Sequence, residues 1–157
     1  MEVLGKPTLN PVLFYSGKIA GYIVWTILLL SLTDITILSK KVIWHSDIIA
    51  WVLLITGLLF SILSLFSLGR STRFGLPTEK TVLKTKGLYK ISRNPIYFGF
   101  NLITLSSIIY FINPIILVPG IYSIVVYHLI IIGEEKFLEK AFGEAYLQYK
   151  KKVRRYI

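Results

Sequence analysis

Two carboxylates, Glu134 and Glu135, stand side by side directly after a run of apolar residues. Carboxylates at the edge of such a run are costly unless paired or used, so they are candidates for binding or catalysis. The plainer alternative is a solvated pair beside Lys136. Earlier in the chain, Arg93, Asn94 and Pro95 make a second polar group. Arg93 is a fixed cation whose planar fork suits a carboxylate or a phosphate. Pro95 disfavours helix for Asn94 and can itself open one. Tyr89 and Tyr97 add aromatic faces, and Gly87 permits a turn and close backbone approach. His128 precedes Glu135 by two helical turns, so the two can share one side of a helix. It could act as a general base or pack through a hydrogen bond. Taken without its partners, the stretch around Arg93 reads equally well as an ordinary basic, aromatic connector at a membrane interface.

These residues need elements to bring them together. The 157-residue chain is 54% hydrophobic and only 17% charged, with a mean hydropathy of +0.66. That is too apolar for a soluble domain of this size. Four apolar runs predict an all-α, polytopic membrane bundle, a single domain with spans near 13–37, 48–68, 96–111 and 114–132. Lys18 lies inside the first span and can snorkel, whereas Asp34 lies near its far end. Asp47 is placed to cap the second, with Trp44 and Trp51 as interfacial anchors. Asn113-Pro114 separates the third and fourth runs without a charge, which predicts a tight helical hairpin. Phe137, Leu138, Ala141 and Phe142 continue the helical stripe past the fourth span as an amphipathic cytoplasmic helix. Asn101 is expected to bond across from the third helix to the fourth.

The hairpin places the two charged stretches on one face. One, 69–94, carries Arg70, Arg73, Lys80, Lys84, Lys86, Lys90 and Arg93 against the lone acid Glu79; the other is the basic tail. The positive-inside rule makes this the cytoplasmic face, with both termini inside, although Lys40 and Lys41 vote weakly against it. The first run is too long for a secretory signal and lacks a cleavage site, so none is expected. A net charge of +10 then reflects loop bias and attraction to anionic headgroups, not nucleic-acid binding. The chain has no cysteine, which removes disulfides and thiolate chemistry. With two distant histidines, one of them (His45) interfacial, and adjacent acids, no metal site is expected.

The segment with Leu83, Thr85, Gly87, Tyr89, Arg93, Pro95, Tyr97 and Gly99, followed by a hairpin and then Glu134, Glu135, Leu138, Phe142, Gly143, Tyr146, Tyr149 and Val153, resembles the isoprenylcysteine carboxyl methyltransferase and phospholipid methyltransferase family. Two ordered blocks with a hairpin between them carry the resemblance over roughly the carboxyl-terminal half. It implies an integral membrane enzyme that moves a methyl group from S-adenosylmethionine to a lipophilic acceptor entering from the bilayer. The cofactor segments would be 81–99 and 133–153. By analogy Thr81, Val82, Leu83, Gly87, Tyr89, Asn94, Pro95 and Tyr97 line the cofactor, and Glu134 or Glu135 binds its polar groups. Aromatic faces and a carboxylate stabilise a sulfonium. Arg93 would pair with the cofactor's carboxylate or an acidic substrate group, or else form a salt bridge to one of the glutamates.

The chain departs from the family pattern twice. Asn94 stands where histidine is usual, which keeps a donor but removes a base. Ile130 stands where carboxyl methyltransferases tend to carry an arginine, which weakens an isoprenylcysteine acceptor and leaves phospholipid amines open. The rival from another class is a non-enzymatic membrane scaffold or carrier that kept the fold.

Overall fold

The computed structural model describes residues 7–33, 35, 37–39, 46–68 and 82–157. Asp34, Lys40, Lys41, Trp44, His45, Arg70, Arg73, Glu79, Lys80 and Thr81 lie outside the described residues. Among the described residues five helices follow in order: α1 Pro11–Ser31, α2 Ser46–Leu68, α3 Pro95–Phe111, α4 Pro114–Phe142 and α5 Glu144–Lys152, with a 3-10 turn at Gly87–Lys90 before α3. No strand occurs among the described residues.

Among the described residues three helices, α1, α2 and α4, are long and apolar enough to cross a membrane; α3 is apolar but has 17 residues. At 1.5 Å per residue α3 reaches about 25 Å, slightly under a typical hydrocarbon core. Large apolar side chains face outward along these helices, among them Ile55, Leu59, Ile62 and Phe66 of α2 and Ile115, Val118, Ile121 and Val125 of α4. In water such a surface would be a liability; in lipid it is the required exterior.

α3 packs along α2, and α1 along α4, with α3 also touching α4 and α1. Apolar burial gives little drive between helices in lipid, so close approach through small residues matters. A Cβ on Gly99 would stand 2.7 Å from the Gly57 carbonyl oxygen, and one on Gly17 would stand 2.3 Å from Val126 Cγ1. Polar bonds pin both seams. Ser106 Oγ donates to the Ala50 carbonyl (2.7 Å), and Trp25 Nε1 donates to Thr104 Oγ1 (2.8 Å). One buried cluster holds Val24, Leu28, Leu54, Ile103, Phe111 and Ile116; the other holds Phe14, Val126, Tyr127 and Ile130 against Tyr97 and Phe100.

The expected hairpin forms at Asn113, whose side chain accepts from the Ile115 amide (2.9 Å) with Pro114 opening α4. The bend also uses Ile112 at φ 47°, ψ 47°, a conformation that β-branched residues rarely adopt. Two boundaries differ from expectation. α1 stops at Ser31, short of 37, where Thr33 Oγ1 donates to the Leu30 carbonyl and competes with the helical pattern. α4 continues past the fourth span through Phe142, as the stripe predicts, but it does not run on: Gly143, at φ 52°, ψ −127°, turns the chain into a separate α5. Only glycine adopts that region without strain. Asn101 Oδ1 is buried with no hydrogen-bond partner, so that oxygen does not make the cross-helix bond expected of the residue.

Candidate functional site

Gly143 is what returns the chain to the bundle. α5 folds back along the end of α4, tied by an ion pair between Lys150 and Glu139. Residues 153–156 then run beside the stretch that leads into α3. The Arg93 amide donates to the Arg154 carbonyl (2.9 Å). Ser92 Oγ donates to the Arg155 carbonyl (3.1 Å) and accepts from the Asn94 amide (3.1 Å).

Glu135 is the centre of this junction and is 3% exposed. Its Oε1 accepts from Arg93 Nε (3.1 Å), Arg93 Nη2 (2.9 Å) and Asn94 Nδ2 (3.1 Å). Its Oε2 accepts from Arg155 Nε (3.2 Å) and Arg155 Nη2 (2.9 Å). Arg93 spends its remaining nitrogen on the Val153 and Lys150 carbonyls, at 2.6 and 3.3 Å. A buried carboxylate is tolerated when its oxygens are saturated in this way. Hydrogen bonding to Glu135 holds Arg155 above the ordinary arginine value. Tyrosines line the outer side: Tyr149 Oη donates to the Tyr89 carbonyl (2.6 Å), and burial, with Arg93 opposing and the Glu135 charge adding, pushes Tyr149 up to about 12.

Glu134 faces elsewhere. It accepts from Tyr97 Oη at 2.7 Å. The Tyr97 ring packs with Phe100 and Tyr127, and Trp25 joins the same aromatic group. Near it, Ser123 Oγ and Tyr127 Oη are buried close to one another, and neither reaches a partner in full hydrogen-bond geometry. They lie where α1 offers only Gly21. Ser123, Tyr127, Ile130 and Glu134 recur at helical spacing, one stripe of α4 turned to α1 and α3.

The structure therefore brings Arg93, Asn94, Pro95, Tyr97, Glu134 and Glu135 to one end of the bundle. Tyr89 joins through Tyr149. Gly87, at φ 63°, turns the chain beside Ser67. Leu83 is half-buried in the extended segment before that turn, Val82 is exposed, and Thr81 lies outside the described residues. His128 goes to the other stripe of α4: its Nδ1 lies 2.8 Å from Tyr156 Oη, with the rings stacked. Sequence reasoning missed Ser92, Arg155 and Tyr156. Arg155 is legible in the sequence only as one more tail cation, because no spacing signals the return at Gly143.

Residues 46–145 match the family of phospholipid methyltransferases. A Protein-S-isoprenylcysteine O-methyltransferase of Dictyostelium discoideum is 37% identical over 73 residues, which is 46% of this chain and 31% of that protein. The match thus spans less than a third of the relative's length. No solved structure matches the chain.

Proposed function

The chain belongs to the phospholipid methyltransferase family, and we propose from this that it moves a methyl group from S-adenosylmethionine to an acceptor held in the bilayer. The observation that carries the reading is the Tyr97–Glu134 pair at the edge of an aromatic wall that includes Phe100 and Tyr127. Those residues fit the donor. Its sulfonium suits aromatic faces and a carboxylate, and its hydroxyls and amine suit acceptors and donors of this kind. When bound, the donor supplies an electrophilic methyl group. Such a transfer asks the protein for in-line positioning and exclusion of water more than for acid–base chemistry.

In this reading Glu134 and Tyr97 bind the donor. Arg93, Asn94, Glu135 and Arg155 act one step back, fixing the 92–97 backbone and the direction in which Glu134 points. Asparagine fills that role as well as histidine could, because it only donates. Trp25, Phe100 and Tyr127 keep water out. His128 holds the tail through Tyr156. The family's name speaks of phospholipids and the relative's of a protein S-isoprenylcysteine, and both are amphiphiles that would reach Glu134 from the lipid side. The basic residues around Arg93 and in the tail favour the cytoplasmic side for this end. Single cysteines introduced into the cysteine-free chain at 90 and at 157 would both be labelled by an impermeant thiol reagent from that side only.

Calorimetry of S-adenosylhomocysteine with the detergent-purified protein tests the binding role. Glu134→Gln weakens affinity by about 1–3 kcal/mol, as for loss of a charge-assisted bond. Unchanged affinity in that variant removes Glu134 from the donor site. No binding to the wild type at millimolar ligand favours the scaffold reading.

A further inference from the structure

The chain just before α1 lies against the end of α4 that carries the glutamates. Asn10 Oδ1 accepts from the Val12 amide (2.9 Å) and Pro11 opens α1, which fixes how residues 7–10 enter the helix. From there the chain runs antiparallel to α4: Gly17 meets Val126, Phe14 shares a buried cluster with Ile130, and Thr8 meets Gly133. Gly133 precedes Glu134 and lies one turn beyond Ile130. A Cβ on Gly133 would stand 2.7 Å from Thr8 Cβ and 3.2 Å from Thr8 Oγ1. Glycine inside a helix is unfavourable unless packing asks for it; here it makes room for Thr8. Leu9 packs against the cluster of Phe14, Val126, Tyr127 and Ile130, as do Tyr97 and Phe100. Thr8 Oγ1 is buried and reaches no hydrogen-bond partner among the described residues. Residues 7–10 and α1 precede the part of the chain that matches the methyltransferase family.

We propose that the segment before α1 is a wall of the donor site and that the Thr8 hydroxyl hydrogen-bonds a polar group of the donor. This rests on the methyl-transfer reading for the identity of the occupant. The reason is hydrogen-bond accounting. A buried hydroxyl without a partner is disfavoured, and most buried polar groups find one. A group that stays unpaired within the chain can be completed by a ligand. Two contacts bring this hydroxyl to the donor's edge. Gly133 sets it against the turn of α4 that carries Glu134, and Leu9 sets the same segment on the cluster that Tyr97 and Phe100 join. A hydroxyl both donates and accepts, so it suits a hydroxyl, an amine or a carboxylate of the donor. Thr8 is thus a binding residue that holds the donor in place and takes no proton in the transfer. The role of Gly133 is to let the segment close on α4.

The test pairs calorimetry of S-adenosylhomocysteine with melts of the ligand-free, detergent-purified protein, for wild type, Thr8→Val, Thr8→Ser and Gly133→Ala. Thr8→Val keeps the side chain's shape and removes the hydroxyl. It weakens S-adenosylhomocysteine binding about three- to ten-fold, as for one hydrogen bond. Its ligand-free melting temperature equals or exceeds that of wild type, because an unpaired buried hydroxyl has been replaced by an apolar group. Thr8→Ser keeps the hydroxyl and the wild-type affinity. Gly133→Ala pushes Thr8 off α4 and weakens binding at least as much as Thr8→Val. A structural hydroxyl behaves in the opposite way: Thr8→Val then melts lower without ligand and binds like wild type. The assignment is overturned by a loss in Thr8→Val smaller than about three-fold, by a lower ligand-free melting temperature in that variant, or by failure of Thr8→Ser to restore affinity. Unchanged affinity in Gly133→Ala overturns the role given to that glycine. These outcomes, with a wild type that binds, leave the methyl-transfer reading standing. A wild type that does not bind at millimolar ligand overturns that reading and this assignment with it.

Discussion

Glu135 sits between two guanidiniums with both oxygens engaged, whereas Glu134, one residue earlier on α4, accepts from Tyr97 and faces the aromatic wall and Lys18. Successive residues on a helix point about 100° apart. The pair therefore straddles the border between the stripe of α4 that meets α1 and α3 and the stripe that meets the tail. One surrounding is closed: Glu135, Arg93 and Arg155 satisfy one another within the chain. The other is less saturated: among the described residues Glu134 accepts one side-chain hydrogen bond, from Tyr97, with Lys18 near enough for its charge to be felt. Saturated networks hold shape and unsaturated ones can take a ligand. On the proposed reading, two identical side chains divide the work of building the site and of using it.

The largest expected effect breaks the closed side. Glu135→Ala leaves Arg93, with its side chain 7% exposed, and Arg155 facing each other without a carboxylate. Removing one member of a buried pair costs about 3–5 kcal/mol. A melt in detergent followed by fluorescence should show a large drop, and protease should release the tail after α5. If the variant melts like wild type while losing donor binding, Glu135 is a donor ligand and the tail is held by something else.

Gly17→Ala strikes the open side through packing alone. The new methyl meets Val126 at 2.3 Å, and α1 must move off α4. Overpacking of this kind costs about 1–3 kcal/mol. The prediction is a lower melting temperature with the tail still protected from protease, because the bonds described for the Glu135 junction come from Arg93, Asn94 and Arg155 and not from α1. Loss of tail protection would mean that the two surroundings are not independent.

How far these surroundings are legible in the sequence depends on what creates each. The hairpin at Asn113-Pro114 is local chemistry, a cap and a preset φ, so the convergence of Arg93 with the glutamates follows from the residues themselves. An ion pair to a glutamate is one of the roles that the sequence allows Arg93. Which glutamate takes it is not legible, since spacing alone does not say which side of α4 meets the tail. Arg155 and Tyr156 depend on the break at Gly143, and a hydrophobic stripe running through Phe142 masks it. Lys18 has the sequence position of a snorkelling residue. Only the seam at Gly17 turns it into the neighbour of Phe14 and Glu134. The early end of α1 at Ser31 rests on a side-chain bond from Thr33, which an apolar run extending to Leu38 conceals.

Alkali offers a milder probe of the closed side. Tyr149 is pushed up to about 12 by burial, against about 10 when unfolded. Between those values the unfolded chain loses a proton that the folded chain keeps. The stabilising contribution is therefore complete below about pH 10 and is lost as pH rises towards about 12. Tail protection should fall in that window, and Tyr149→Phe should flatten the part of the loss that this residue causes.

The smallest effect is the most discriminating for His128. Tyr156→Phe removes one hydroxyl and leaves the stacked ring in place. A neutral hydrogen bond contributes about 0.5–1.5 kcal/mol, and this pair is only partly buried, so a shift at the low end is expected. If His128 serves the tail, donor affinity and the rate of methyl transfer stay as in wild type. A base would behave differently. Loss of the Tyr156 bond would free the imidazole to reorient against the acceptor, so the rate of methyl transfer would change with donor affinity unaltered. A changed rate would draw His128 out of the closed region and place it with Glu134 among the groups that face the reacting molecules.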